Sequence, residues 1–288
     1  MDYKMKSLLL FLGLLTTLYC EAENIIKVNS DPTDPTAPYA IKMMELALSH
    51  IDKPYKIQAT YEKYTQSKTN EELKNNELIN VIWEASDKTM EADFTPVRIC
   101  LYKGLLGYRI FIINKKNQSK FDNIKDLSAL KQLTFGQGRF WADTRILEAN
   151  QFKVVKATKY SNLFFMVDGE RFDAFPRGVL EPFNELSKRP ELPNLAVEKN
   201  IMLVYQMPFY FFVSKNNHQL AADLEMGLNR AISDGSFDKT FFNEPSIQDA
   251  IKQANMKNRL IFNIDNPVLP DETPLERKEL WLDPKTLP

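Results

Sequence analysis

Apolar residues along this chain fall either in short unbroken runs or at every third and fourth position, the marks of strands and helices taken in turn. IIKVN at residues 25–29 reads as a short buried strand. DPTDPTAP follows as a polar turn whose prolines forbid helix until Tyr39. A helix is expected over residues 39–50, with Ile41, Met44, Leu48 and Ile51 on one face. YKIQATY (55–61) alternates like a strand, residues 67–75 read as a polar helix, and LINVIW (78–83) is a continuous run expected to be a strand covered on both faces. This alternation predicts an α/β chain with a mostly parallel sheet.

GYRIFIIN (107–114) is the next strong strand, and KKNQSKFDN (115–123) reads as a polar crossing into a second lobe. Residues 123–130 are expected to form a short helix with acidic character near its start. From 133 to 181 the pattern runs strand, polar turn, helix, strand, helix, strand, polar turn, and both turns carry groups suited to gripping a small polar ligand. The proline-rich KRPELPN (188–194) is a bend. Pro208 interrupts the apolar run 202–216, which predicts two strands or a strand broken at a lobe boundary. Leu220, Leu224, Leu228 and Ile232 mark a helix stopped by Asp234-Gly235. The tail from Arg259 is rich in proline yet keeps Leu, Ile, Phe and Trp throughout, so it is expected to pack along a lobe surface. No internal repeat is visible.

Composition narrows the partners. The chain has 288 residues, 44% hydrophobic, enough for one large core or two modest ones. A net charge of −1 with both signs spread along the chain gives no basic stripe, which sets nucleic acid aside in favour of a small-molecule partner. Lys4 and Lys6, the apolar run from Leu8 to Leu18, and small Cys20 and Ala22 before the expected cleavage read as a secretory leader over residues 1–22. Cys20 as a lipid anchor is the alternative, opposed by bulky Tyr19. After cleavage only Cys100 remains, expected as a buried apolar thiol, so the mature domain must hold by packing alone. No second apolar segment is long enough to span a membrane, which points to the periplasm if the host is Gram-negative. His50 and His218 stand apart, and neither metal nor cofactor is expected.

Several motifs, in this order, carry a resemblance: LINVIW as a strand ending at a cleft, ADFTPV (92–97) as an acidic-Phe-Ser/Thr-x-Pro turn, FGQGRFWADT at a helix start, ERFDAF as a later strand, and AISDGSFDKTF as a helix stop. Together they resemble the type-2 periplasmic solute-binding proteins, especially solute-binding family 3, the polar amino-acid-binding proteins. The resemblance implies a two-lobed type-2 fold with a ligand cleft and a hinge, lobe I from residues 23–112 and 206–288 and lobe II from 113–205. It also implies a monomer that closes on its solute. The chain departs from the family's pattern in three places. Its first loop lacks the usual hairpin and acidic motif, Ala92 stands where a carboxylate-clamping arginine usually follows T-x-E, and Arg177 stands near where an acid usually meets the substrate ammonium. These departures argue against an ordinary amino-acid clamp.

The candidate ligand residues follow from chemistry and place. GQGRFWADT begins a helix whose free N–H groups favour an anion, with Gln137 and Thr144 as hydrogen-bonding groups and Trp141 as a flat face. The competing reading is capping by Asp143 or Thr144 and a core Trp141. Arg177, after Pro176, either clamps a carboxylate or phosphate or pairs with Glu181. Arg98 or Arg109 could replace the missing clamp, Arg98 being preferred, or each could form a surface or interlobe ion pair. Trp83 is either a binding aromatic or core, and Tyr39 and Tyr108 are weaker candidates of the same kind. The expected function is capture of a small anionic or zwitterionic solute for an ABC-type importer or, alternatively, for a membrane sensor. A dehydratase with Glu181 or Asp173 as general acid is a third, less favoured reading, because no nucleophile–base set is present. A ligand-free assembly role is a fourth, prompted by the departures and the unusual tail.

Overall fold

The computed structural model describes residues 24–287 except Thr33 and Pro35, so the expected leader lies outside the described residues. The first part of the chain forms β1 (Asn24–Asn29), α1 (Ala37–Ser49), β2 (Tyr55–Thr60), α2 (Gln66–Asn75), β3 (Ile82–Ala85), α3 (Lys88–Asp93) and β4 (Phe94–Val97). The middle holds β5 (Tyr108–Asn114), α4 (Gln118–Asp122), α5 (Leu127–Leu130), β6 (Thr134–Gly138), α6 (Ala142–Ala149), β7 (Lys153–Ala157), α7 (Tyr160–Asp168), β8 (Phe175–Gly178), α8 (Pro182–Ser187) and β9 (Leu195–Val197). The last part holds β10 (Ile201–Val204), β11 (Phe209–Ser214), α9 (His218–Ser233), α10 (Ser236–Phe242), α11 (Pro245–Ala254) and β12 (Leu260–Asn263).

The sheets are mixed, where the alternation of elements predicted mostly parallel ones. β1 pairs with β2 in parallel, but β11 lies between β3 and β4 and runs opposite to both. The cause is the break at Pro208: β10 ends in one lobe and β11 re-enters the other directly, with no helical crossover to reverse its direction. In the second lobe β5 is antiparallel to β8, β9 and β10, while β12 joins β10 in parallel and β6 joins β7 in parallel. Every residue of β5 is buried, and its side chains alternate between layers. Phe111 and Ile113 pack with Phe121, Phe135 and Ile146, whereas Ile112 packs with Leu163 and Phe164, and Ile110 joins the core of the first lobe.

Local departures from the sequence reading have identifiable causes. The buried residues of α1 are Ala37, Tyr39, Ala40, Met43, Met44 and Ala47, and the expected Ile41 and Leu48 are only partly buried. Its partner α9 brings Gly227 so close that a Cβ there would lie 2.1 Å from the Ala47 carbonyl oxygen, so the small-residue face packs inward. In LINVIW, Leu78 is exposed and the strand starts only at Ile82. Asn80 interrupts the run by bonding β1 with its side chain, accepting from the Lys27 amide at 2.7 Å and donating to the Ile25 carbonyl at 2.9 Å. The ADFTPV turn is the end of α3 and strand β4. The crossing at 115–123 contains α4, and the helix expected over 123–130 shrinks to α5, capped by Asp126.

Cys100 is a free, fully buried thiol whose pKa burial pushes up. The tail packs as expected but touches both lobes. β12 lies beside β10 in the second lobe although it falls in a segment assigned from sequence to the first. The chain then returns: the Lys88 amide donates to the Val268 carbonyl at 3.1 Å, Lys88 pairs with Asp271 at 3.1 Å, and the Leu282 amide donates to the Lys103 carbonyl at 2.9 Å. Leu280, Leu282 and Leu287 are buried in the core of the first lobe. Leu280→Ala is therefore expected to destabilise the protein by about 2–5 kcal/mol. The check is a lower urea midpoint at unchanged slope, and an unchanged midpoint would show that the tail is not part of the core.

Candidate functional site

Two groups of side chains stand at the carboxyl ends of the strands. In the first lobe a pocket of about 210 Å³ is lined by Asn29, Asp34, Tyr64, Asn70, Trp83 and Glu84, among others. Trp83 Nε1 donates to Asp34 Oδ2 at 2.9 Å, which fixes the indole as one wall. Asp34 Oδ1 accepts from the Thr36 amide at 2.8 Å and its hydroxyl at 2.6 Å. Glu84 accepts from the Ala85 amide at 3.2 Å and from Gln66 at 3.3 Å. Burial pushes the Glu84 carboxyl from its ordinary 4.5 to about 7, with the charges of Asp34 and Asp87 adding to the rise. Among the described residues, no lysine or arginine lines this pocket.

In the second lobe the start of β5, the end of β8 and the helices α6 and α8 gather a buried ion-pair cluster. Arg109 Nη2 lies 2.6 Å from Asp143 Oδ1, and its Nη1 lies 3.4 Å from Glu181 Oε2. Tyr205 donates its hydroxyl to Asp143, and the Arg109 guanidinium lies 5.5 Å from the centre of the Tyr205 ring. Arg177 pairs with Glu181 and, through Nη2, with Glu185 at 2.7 Å, while its Nε donates to both Glu185 oxygens at 3.0 Å. Its guanidinium sits 5.3 Å from the centre of Trp141, 5.6 Å from Tyr160 and 5.2 Å from Phe175. Burial disfavours the Arg177 charge, but Glu181 and Glu185 outweigh it and hold the pKa above its ordinary value. Burial raises the Glu181 pKa, an effect that Arg177 partly offsets.

The two groups belong to ends that face each other. Asp87, just past β3, accepts from the Met90 amide at 2.8 Å to cap α3 and takes Arg145 of α6 at 2.7 Å with its other oxygen. That ion pair joins the lobes within one helical turn of Trp141. A larger cavity of about 670 Å³ lies elsewhere, between α11, Met256–Asn258 and Leu287. It holds none of the expected residues.

The expected site residues thus separate. Gln137, Trp141, Asp143, Thr144 and Arg177 are brought together around the second lobe's strand ends, and Trp83 lines the first lobe's pocket. Tyr39 is core, with its hydroxyl on the Leu101 carbonyl at 3.0 Å. Arg98 pairs with Glu91, with Glu272 at 3.8 Å, and Tyr108 donates to the Leu282 carbonyl beneath the tail. Thr144 ties its own turn to the end of β6, donating its hydroxyl to the Gly138 carbonyl at 2.7 Å, and no side chain caps α6. Gly136 and Gly138 make room for the chain's own rings: a Cβ at Gly136 would meet Phe172 at 2.0 Å, and one at Gly138 would meet Trp141 at 2.4 Å. Gln137 is fully buried, donating weakly to the Pro176 carbonyl at 3.4 Å while its Oε1 has no partner.

Sequence reading missed Asp34, Glu84 and Glu185. The signal for the first two was position, since in α/β folds ligands collect beyond the carboxyl ends of strands. Glu84 follows Trp83 there, and Asp34 lies in the loop after β1. Glu185 stands one helical turn beyond Glu181, a spacing that lets both reach Arg177.

No protein-family model and no curated protein matches the sequence. Solved structures do. The probable amino-acid ABC transporter extracellular-binding protein ytmK from Bacillus subtilis matches at TM-score 0.58 and 14% identity, over 78% of this chain and 99% of that one. The Bordetella pertussis BvgS periplasmic VFT2 domain matches at TM-score 0.55 and 14% identity, over 75% and 92%. An ancestral arginine-binding protein bound to arginine matches at TM-score 0.51 and 15% identity, over 76% and 97%. The chain therefore has the two-lobed type-2 periplasmic-binding-protein fold that the motifs implied, and at these identities the likeness is one of fold.

The ion-pair cluster makes a stability prediction. Arg109→Ala leaves Asp143 buried without its cation and is expected to cost about 3–5 kcal/mol, whereas Arg109→Met with Asp143→Leu should recover most of that loss. A double-mutant cycle in urea measures it, and additive single effects would refute the coupling.

Proposed function

We propose that the protein is a secreted solute-binding protein that captures a small amine-bearing solute between its lobes and presents the closed form to an ABC-type importer at the inner membrane. The observation that carries this reading is the acidic pocket of the first lobe, where Asp34 and Glu84 offer carboxylates, and Trp83 and Tyr64 offer aromatic faces to a cation. Of the anionic and zwitterionic solutes considered from sequence, the geometry supports one that carries an ammonium group. The arginines expected to hold an anion, Arg98 and Arg177, are both neutralised by the chain's own carboxylates.

The position of the pocket supports capture by closure. It lies on the ends that face α6, so a solute held there meets the second lobe as the hinge bends. The solved neighbours named as binding proteins support the same class of function, and the expected leader supports a periplasmic location. Delivery to a membrane sensor in place of a permease uses the same closed surface, and gene neighbours encoding a permease or a sensor kinase separate the two. The acids weighed for catalysis are not placed as free acids. Burial acts to raise Asp173, but hydrogen bonds from the Thr134 amide and hydroxyl and from Lys120 hold it below its ordinary value. Glu181 is committed to Arg177 and Arg109.

A thermal-shift screen of the mature chain is expected to find stabilisation by amines or amino acids and none by dicarboxylates or phosphorylated metabolites, with about 2.7 kcal/mol gained at about 100 times Kd. Asp34→Asn should weaken the bound amine by about 1.5–3 kcal/mol in calorimetry; equal affinity in this variant would remove the pocket from the site. pH supplies an independent check. The folded chain holds the Glu84 proton more tightly than the unfolded chain does, so ligand-free stability falls as pH rises from about 4.5 to about 7. Amine affinity changes in the opposite sense and rises through the same window as Glu84 ionises. Glu84→Gln should flatten both trends, and identical pH profiles for variant and wild type would exclude Glu84 as their source.

A further inference from the structure

We infer that the solute is an amine without a neighbouring carboxylate, and that Glu181 and Glu185 enforce this choice by occupying the Arg177 clamp in place of a ligand. The inference rests on the reading of the first-lobe pocket as the ammonium half of the site.

Arg177 has what a carboxylate receptor needs. It stands at the end of β8, it is 9% exposed, and Trp141, Tyr160 and Phe175 surround its guanidinium and fix its orientation. The Nε–Nη2 edge, which would form a two-point pair with a ligand carboxylate, makes that pair with Glu185. Glu181 takes Nη2 as well, and its other oxygen accepts from the Gly178 amide at 2.6 Å, so the backbone donor beside the arginine is also used. Tyr160 donates its hydroxyl to Glu185 and holds that carboxylate in place.

Charge makes the same selection. The second-lobe cluster sets the guanidiniums of Arg109 and Arg177 against the carboxylates of Asp143, Glu181 and Glu185. The opposite pocket adds Asp34 and Glu84 and, among the described residues, no lysine or arginine. A solute carboxylate would enter this site among like charges and find the arginine already paired, whereas an ammonium group meets a cluster whose three carboxylates outnumber its two guanidiniums. Glu181 and Glu185 therefore discriminate by repulsion and by occupying the receptor, a form of specificity directed against the competitor.

The test uses probe pairs that differ only by a carboxylate: putrescine against ornithine, and agmatine against arginine, by calorimetry on the mature chain at pH 8. At least one amine is expected to bind about tenfold or more tightly than its amino acid. Glu181→Gln with Glu185→Gln should shrink that ratio by strengthening the amino acid, and Glu185→Gln alone should shrink it in part if the double variant does not fold. Tighter binding of the amino acids by the wild type would overturn the inference and leave the ammonium pocket standing. A folded variant with an unchanged ratio would remove the two glutamates as the selector. No binding of any of the four probes by the wild type, at millimolar concentration, would instead reject the ammonium reading and this inference with it.

Discussion

The place where the two lobes join rests on a backbone contact that tolerates no side chain. At Gly107 a Cβ would lie 1.9 Å from the Tyr205 carbonyl oxygen, and the Tyr205 amide donates to the Gly107 carbonyl at 3.1 Å. The outgoing segment before β5 and the returning segment after β10 thus run in contact, and the residues on either side of the crossing become the hub of the second lobe. Arg109 and Tyr205, one on each segment, both reach Asp143 of α6. A glycine at the crossing brings the two segments together, and the buried ion pair fixes α6 against them. α6 in turn carries the Arg145 that meets Asp87 of the other lobe. Geometry at the crossing is therefore transmitted to the facing ends through one short helix.

The tail changes what this joint can do. Part of what lies beyond α11 enters the second lobe as β12 and returns to the first along Lys88, Lys103 and Tyr108. Asn150, just past the end of α6, donates to the Asp265 carbonyl at 2.7 Å, and Asn266 donates to the Gln206 carbonyl at 2.7 Å, so the tail holds both the hinge segment and the end of α6. Opening the lobes must stretch or slide this connection as well as bend the two crossings, which adds a restraint that a hinge of two crossings lacks.

Much of the fold was legible because the hydrophobic pattern and the packing agree. β5 is a run of buried residues between layers, and the unit from β6 to β8 alternates as its sequence does. At Pro208 the sequence places a break, and the structure sends β10 and β11 to different sheets there. Reading failed where a side chain took over a backbone task or where size decided the packing. Asn80 replaces ladder hydrogen bonds with its amide, and α1 turns alanines rather than its larger aliphatic residues toward Gly227. At the site the sequence offered Arg177 either a ligand or Glu181 as its partner, and Glu185 did not enter that choice. Arg177 could equally have met a ligand or Glu181, since both satisfy a guanidinium. The answer depended on Glu185, which becomes a partner only once α8 is placed beside the end of β8.

That dependence bears on how the fold acquires specificity. A buried arginine is costly without counter-charge, so a site that carries one must supply it with an anion from the solute or from itself. If the solute supplies it, the empty site is destabilised and anion binding restores the balance. If the chain supplies it, the arginine becomes structural, and the energy that an anion would have gained from it is already spent within the fold. This chain takes the second course at Arg177 and also at Arg109, and leaves its carboxylates at Asp34 and Glu84 without a lysine or arginine, among the described residues, lining their pocket. The asymmetry between the two lobes follows from this: the second lobe's buried arginines are held by the protein's own carboxylates, and the first lobe's pocket has carboxylates with no lysine or arginine among its described lining residues.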